Sequence, residues 1–220
     1  MAIIFNIDTA VESASICLAR DSRPIKFEEN RNKSDHAAWL HPALQELAAE
    51  AGIGIHEIDA IAISIGPGSY TGLRVGLAAA KGLCFALGIP LISVNTLKMM
   101  AYTIRDEAAD YYCPLIDARR MEVFTAVYDR NFTEFVEPKA MIIDSNSFDS
   151  ILLSNQVLFS GNGSEKVRKL ISHPNAFFSN KQANATNMVE LSYQYYMEKN
   201  FSDIAYVEPC YIKEFYSVAR

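Results

Sequence analysis

The stretch "AIAISIGPGSYTGLRVG", residues 60–76, decides how the rest of the chain reads. Five of the six residues from Ala60 to Ile65 are apolar, a run of strand length. A tight turn follows, Gly66-Pro67-Gly68-Ser69, and from Thr71 the pattern becomes helical. Strand, glycine-rich turn and helix start is an arrangement that offers backbone N–H groups to an anion. The N–H groups of Thr71, Gly72 and Leu73 are the expected donors. It is not a P-loop, because no Gly-Lys-Ser/Thr follows and Leu73 stands where the lysine is wanted. Arg74 is the one nearby cation in reach of an anion, and the alternative is that the glycines serve a tight turn and close packing.

The helix predicted over residues 71–87 favours packing. Gly72, Gly76 and Ala80 recur every four residues, with Ala79 beside them. Each glycine in a helix costs about 1 kcal/mol relative to alanine, so a stripe of them implies a close neighbour. That neighbour is either the chain's own sheet, the commoner use, or a helix of a partner. Leu73, Val75, Leu77, Leu83 and Phe85 spread round more than one face, which implies cover on more than one face.

Outward from this stretch the pattern continues as α/β. Residues 3–7, 13–20 and 25–29 read as a three-strand meander. Ser34 or Asp35 caps a helix running to about residue 51, with Leu40, Leu44, Leu47 and Ala51 on one face and Gly52 as its stop. Pro42 is expected to kink it or mark a restart. Trp39 and Ala43 lie off the leucine stripe. A strand over 90–94 and a helix over 96–108 complete β-β-β-α-β-α-β-α across residues 1–105, a mixed sheet with helices on its faces. Residues 106–220 are less regular. Strands are predicted at 113–118, 122–128, within 132–143 and at 156–160. The last ends at Gly161-Asn162-Gly163-Ser164, before a short helix. A helix over 187–199 takes Asn187-x-x-Glu190 as its capping box, and the apolar tail "YVEPCYIKEF" is expected to dock on the first region.

Composition narrows the function. The net charge is −6, against unaided binding of nucleic acid. Cys17, Cys84, Cys113 and Cys210 form no CxxC pair, so neither a zinc site nor a disulfide framework is indicated. No signal peptide and no membrane span are expected, and the cytoplasm is the expected location. His36 and His41, five apart, face one ion poorly. Asp8 ends the first strand and Asp117 a strand of the second half. Two acids facing across a cleft would suit a metal–nucleotide and phosphoryl transfer, but neither is followed by a glycine-rich hairpin.

These residues carry a resemblance. "NIDTA", "HAAWLHPAL", "ISIGPGSYTGLRVGLAAAKGL", "IPLISVNTL", "IDARRMEVF", "GNG" and "EPCYIK" together resemble the TsaB (YeaZ) family over nearly the whole chain. The resemblance implies the actin, sugar kinase and Hsp70 (ribonuclease H-like) fold with two subdomains, the second reduced. It implies a non-catalytic subunit in the synthesis of N6-threonylcarbamoyladenosine on tRNA. Such a subunit pairs with a TsaD-like transferase, works with a TsaE-like ATPase, meets tRNA only through the complex, and self-associates as a homodimer when isolated. It implies no cofactor and no metal. The catalytic relatives continue "VN" with a His-x-x-x-His metal pair; here Asn95 is followed by Thr96, and Met100 holds the second place. Tyr70 and Lys213 stand where many members have Phe and Arg.

Docking is expected through the two helices of the first region. His36, Trp39, Leu40 and Ala43 come from one, and Thr71, Gly72, Arg74, Val75, Gly76, Ala79 and Ala80 from the other. A degenerate nucleotide-like site is expected at Asp8, Thr9, Gly66, Gly68, Ser69, Asp117, Gly161 and Gly163. The alternatives are an ATP-dependent enzyme of the same fold, with Asp8 and Asp117 around a metal–nucleotide, and a metallopeptidase-like protein.

Overall fold

Two five-stranded mixed sheets form the frame of the computed structural model, which describes residues 1–11, 13–32 and 35–213. The first sheet holds β1 (Ile3–Asp8), β2 (Ala14–Arg20), β3 (Arg23–Asn30), β4 (Ala60–Ser64) and β5 (Leu91–Val94) in the order β3-β2-β1-β4-β5. The second holds β6 (Tyr111–Asp117), β7 (Glu122–Asp129), β8 (Glu134–Ile142), β9 (Val157–Ser160) and β10 (Ala176–Phe178) in the order β10-β9-β6-β7-β8. These are one topology used twice. A central strand pairs antiparallel with a meander on one side and parallel with crossover strands on the other. The repeat is the two-subdomain α/β frame that the family resemblance implies.

Alternation along the strands sorts side chains into layers. Phe5, Ile7, Ile61 and Ile63 pack against α1 (His36–Glu50) and α2 (Tyr70–Leu87) on the outer face of the first sheet. Ile4, Ala60 and Ala62 point the other way. They meet α3 (Thr96–Thr103), Leu191 of α6 (Val189–Met197), and Tyr112, Ala126, Tyr128 and Leu158 of the second sheet. The outer face of that sheet is covered by the short helices α4 (Asp149–Leu152) and α5 (Ser164–Leu170).

Several local expectations change. Helix α1 runs through Pro42 without a break, since an exposed proline early in a helix removes one N–H bond while the leucine stripe still packs. Its N-cap residue Asp35 makes no side-chain cap bond, and Ser34 lies outside the described residues. Helix α3 stops at Thr103, short of residue 108. The turn that follows is pinned by the Tyr112 hydroxyl, which donates to the Arg105 and Glu107 carbonyls. The capping box before α6 sits one turn early: Asn184 accepts from the Thr186 N–H, and Asn187 accepts from the Asn184 N–H, opening a 3-10 turn at Ala185–Met188. Beyond α6 the chain returns to the first sheet, where the Ser202 N–H donates to the Leu91 carbonyl at 2.8 Å.

Candidate functional site

A cleft of about 1190 Å3 lies between the two sheets, and the glycine loop forms part of its wall. The loop is held from several sides. The Ser69 N–H donates to the Ala10 carbonyl at 2.8 Å, and the Gly66 N–H to the Thr96 hydroxyl at 3.0 Å. Gly66 has φ +116°, where glycine is favoured. A Cβ there would lie 2.6 Å from the Cys210 carbonyl oxygen.

The anion cradle expected at the start of α2 is corrected by its own cap. Ser69 is the N-cap: its hydroxyl accepts from the Gly72 N–H at 3.2 Å, and its carbonyl from the Leu73 N–H at 2.8 Å. Two of the three expected donors therefore bond within the chain, the ordinary use of a serine N-cap.

The two acids have different fates. Asp8 is fully buried and does not line the cleft. Its Oδ1 accepts from Ser64 Oγ at 2.5 Å and from the Ala10 N–H at 3.0 Å, while among the described residues its Oδ2 has no partner. Burial pushes its carboxyl up to about 6, against the lowering effect of those two bonds. Asp117 does line the cleft, but Lys166 Nζ holds its Oδ1 at 2.5 Å and the Arg119 N–H at 2.6 Å. Burial raises this carboxyl, the bonds from Lys166 and Arg119 outweigh it, and the balance lies below the ordinary value. Gly68, Ser69 and Gly161 line the cleft as well. Thr9 is buried, with its hydroxyl donating to the Gly72 carbonyl at 2.8 Å, and Gly163 packs on Leu115. The structure does not bring Asp8 and Asp117 together on an open metal–nucleotide position. Among the described residues no three His, Cys, Asp or Glu side chains converge as a metal site.

The small-residue stripe of α2 is also corrected. A Cβ at Gly72 would overlap the Thr9 carbonyl, and one at Gly76 the Thr9 hydroxyl, with Ile63 at 3.0 Å. Ala80 is fully buried. Of the two neighbours such a stripe can have, it has its own sheet. Ala43 is buried against the same core, and Trp39 is half-buried, its Nε1 donating to Glu28 at 2.9 Å. Ala43 and Ala80 are therefore not surface, and Trp39 is so only in part. Leu40 and Ala79, though buried, floor a groove of about 350 Å3 between α1 and α2, with Ala37, Val75, Ala78 and Gly82 along it. Thr71 and Arg74 are exposed at the start of α2, and His36 lines the cleft.

The family model of TsaD, tRNA N6-adenosine threonylcarbamoyltransferase, matches residues 30–207. A tRNA threonylcarbamoyladenosine biosynthesis protein TsaB from Buchnera aphidicola subsp. Baizongia pistaciae is 30% identical over 174 residues, covering 76% of this chain and 78% of the relative. The chain belongs to the TsaB family. The TsaB of Haemophilus influenzae is 28% identical over 228 residues, covering 94% of this chain and 92% of the relative. The fold is also that of a solved structure, YeaZ from Pseudomonas aeruginosa, with a TM-score of 0.81 at 25% identity over 96% of this chain and 100% of that one.

Two features of this TsaB-family chain escape a reading of its sequence. Gly82 lies on the outer face of α2 with nothing among the described residues within 4 Å of where its Cβ would stand. Phe85, one turn on, is 80% exposed. Gly82 is off the four-residue stripe, so only its oddity as a helical glycine with no packing partner could have marked it. The apolar tail meets the first region at Ile65 and Tyr70, and its residues Cys210, Tyr211 and Lys213 also line the cleft, the part of the contact that their spacing does not announce.

Proposed function

We propose that this chain is a non-catalytic subunit in the synthesis of threonylcarbamoyladenosine on tRNA, docking a TsaD-like transferase on the outer face of α2 and the groove beside α1. The names of its relatives, tRNA threonylcarbamoyladenosine biosynthesis protein TsaB, support the process. One observation carries the docking face. Val75, Ala78, Gly82 and Phe85 follow a 3-4-3 spacing along one stripe of α2, and that stripe is small or apolar while facing outward. Inside the monomer Gly76 has a reason to be glycine, and Gly82 has none. A helical glycine kept in open space, beside a large exposed aromatic, fits a partner helix approaching closely. In the absence of the transferase the same face would pair two copies of the chain as an isologous homodimer. A TsaE-like ATPase and tRNA join through the resulting complex.

The cleft favours a second reading, an ATP-dependent enzyme. Against it stand the burial of Asp8, the pairing of Asp117 with Lys166, and the internal capping of the loop's donors. The test uses Gly82→Arg. Nothing stands within 4 Å of the new Cβ, so the chain should fold as before, while co-purification with the TsaD-like subunit is lost. Retained co-purification by this folded variant would move the interface elsewhere. Calorimetry with ATP and Mg2+ separates the second reading: micromolar binding, abolished by Asp117→Ala, would favour it.

A further inference from the structure

The tail and the glycine loop are partners, although more than a hundred residues separate them. The Cys210 N–H donates to the Ile65 carbonyl at 2.7 Å, immediately before the loop. The Tyr211 ring lies 5.2 Å from that of Tyr70, and its hydroxyl accepts from Arg74 Nε at 3.0 Å. The Arg74 guanidinium in turn sits 4.1 Å over the Tyr70 ring. Two residues on, Lys213 Nζ reaches both carboxylate oxygens of Glu122, at 2.6 and 2.7 Å. Ile65 follows β4 of the first sheet, and Glu122 opens β7 of the second. The segment therefore crosses from one sheet to the other, and Cys210 to Lys213 line the cleft as they cross.

From this geometry we infer that residues 208–213 form a displaceable latch, which closes one side of the cleft and ties the two sheets together. Two features make it displaceable. Its contact with Arg74 lies at the surface, its ion pair with Glu122 is partly exposed, and it lies outside the core clusters of both sheets. Segments held this way open locally while the rest of a domain stays folded. The latch also explains Gly66: a side chain there would strike the Cys210 carbonyl, so the glycine that begins the loop makes room for the tail.

Cys210 is a built-in reporter of opening. It is half-buried in the latch, whereas Cys17, Cys84 and Cys113 are buried in the cores. The full chain is treated with N-ethylmaleimide at fixed pH, and the modification of Cys210 is followed by mass. Tyr211→Ala removes the clamp on Tyr70 and Arg74, and should speed Cys210 modification about fivefold to tenfold. Lys213→Ala removes only a partly exposed ion pair, and should speed it about twofold. The other three thiols should stay unreactive in both variants. The inference is overturned if Cys210 of the unaltered chain already reacts as fast as it does in a short free peptide. It is equally overturned if neither variant changes the rate. Should Tyr211→Ala unfold the chain, all four thiols react together, and Lys213→Ala then decides alone: no acceleration overturns the latch.

Discussion

The two sheets share a strand order, and their helices do not match. In the first, β4 leads through Gly66-Pro67-Gly68-Ser69 into α2; in the second, β9 leads through Gly161-Asn162-Gly163-Ser164 into α5. Both turns are fastened to the central hairpin of their own sheet. The Ser69 N–H donates to the Ala10 carbonyl at 2.8 Å, and the Gly163 N–H to the Leu115 carbonyl at 3.0 Å. Beyond the turns the lobes part company. Helix α2 has 18 residues and α5 has 7, while α1 has 15 and α4 has 4. In the second lobe the short helices share the cover of their sheet with Ile143, Phe148 and Ile171 from the connecting segments. The longer pair in the first lobe builds an outward face that its own sheet does not use, and that surplus is where docking is proposed.

The most severe test of this contrast compares the two turns. At Gly72 an added methyl would meet the Thr9 carbonyl, which is backbone and cannot step aside. At Gly163 it would meet the Leu115 backbone carbon and Cβ and Val123 Cγ1, all at 3.1 Å, a far looser contact that shifts of a few tenths of an ångström relieve. Gly72→Ala should therefore lower unfolding free energy by about 3 kcal/mol and Gly163→Ala by about 1 kcal/mol, read from urea midpoints. Equal losses would mean that the first lobe is not the more tightly built. The same geometry predicts that a bulky residue at Gly76 destroys partner binding by unfolding the chain, and so says nothing about where the partner docks.

The second test uses the acids that end the two central strands. The Asp8 carboxyl is raised from 3.8 to about 6 by burial. Well below pH 3.8 the folded and unfolded forms are both protonated there and no penalty exists. As pH rises towards 6 the unfolded chain ionises first, so stability falls through this window and stays lower above it. Asp8→Asn removes the penalty without losing the acceptor for Ser64. It should stabilise the chain at pH 7 by about 2 to 3 kcal/mol, with most of the gain lost as pH falls from 6 to 4. Asp117→Asn should act with the opposite sign. It loses the Lys166 pair, so stability at neutral pH should fall by up to about 1 kcal/mol, the range of a partly exposed ion pair. Denaturant titrations at pH 4 and pH 7 read both signs, and a shared sign would break the distinction.

Much of this was legible in the chain before its folding was known. The alternation of residues 3–7 and 60–65, the turn at Gly66 and the serine at position 69 are local signals, and each marks the element that forms. What the α2 stripe meets was not legible, because Thr9 lies 63 residues from Gly72 and no period links them. The anion reading failed for a local reason that was visible, since a serine before a helix accepts its own N–H bonds. Asp8 and Asp117 were placed correctly at strand ends. Whether a strand end opens on a cleft or is sealed beneath it depends on the next hairpin and on a helix much further along. That the tail docks on the first region was legible in its apolar run, but its crossing of the cleft to Glu122 was not, since no local pattern links residue 213 to residue 122.

The smallest effect tests the surplus face itself. Gly82→Ala adds one methyl where nothing stands within 4 Å, in the middle of α2. The isolated chain should gain stability, by up to about 1 kcal/mol, because alanine outranks glycine in a helix. The same methyl stands in the groove beside Ala78 and Leu40, so it should weaken association with a closely packed helix while strengthening the monomer. Thermal unfolding of the lone chain and titration of its partner measure the two changes separately. Opposite signs would identify Gly82 as a residue set by an interface rather than by the fold. A stabilised chain with unaltered association would leave the long helices of the first lobe without the use assigned to them.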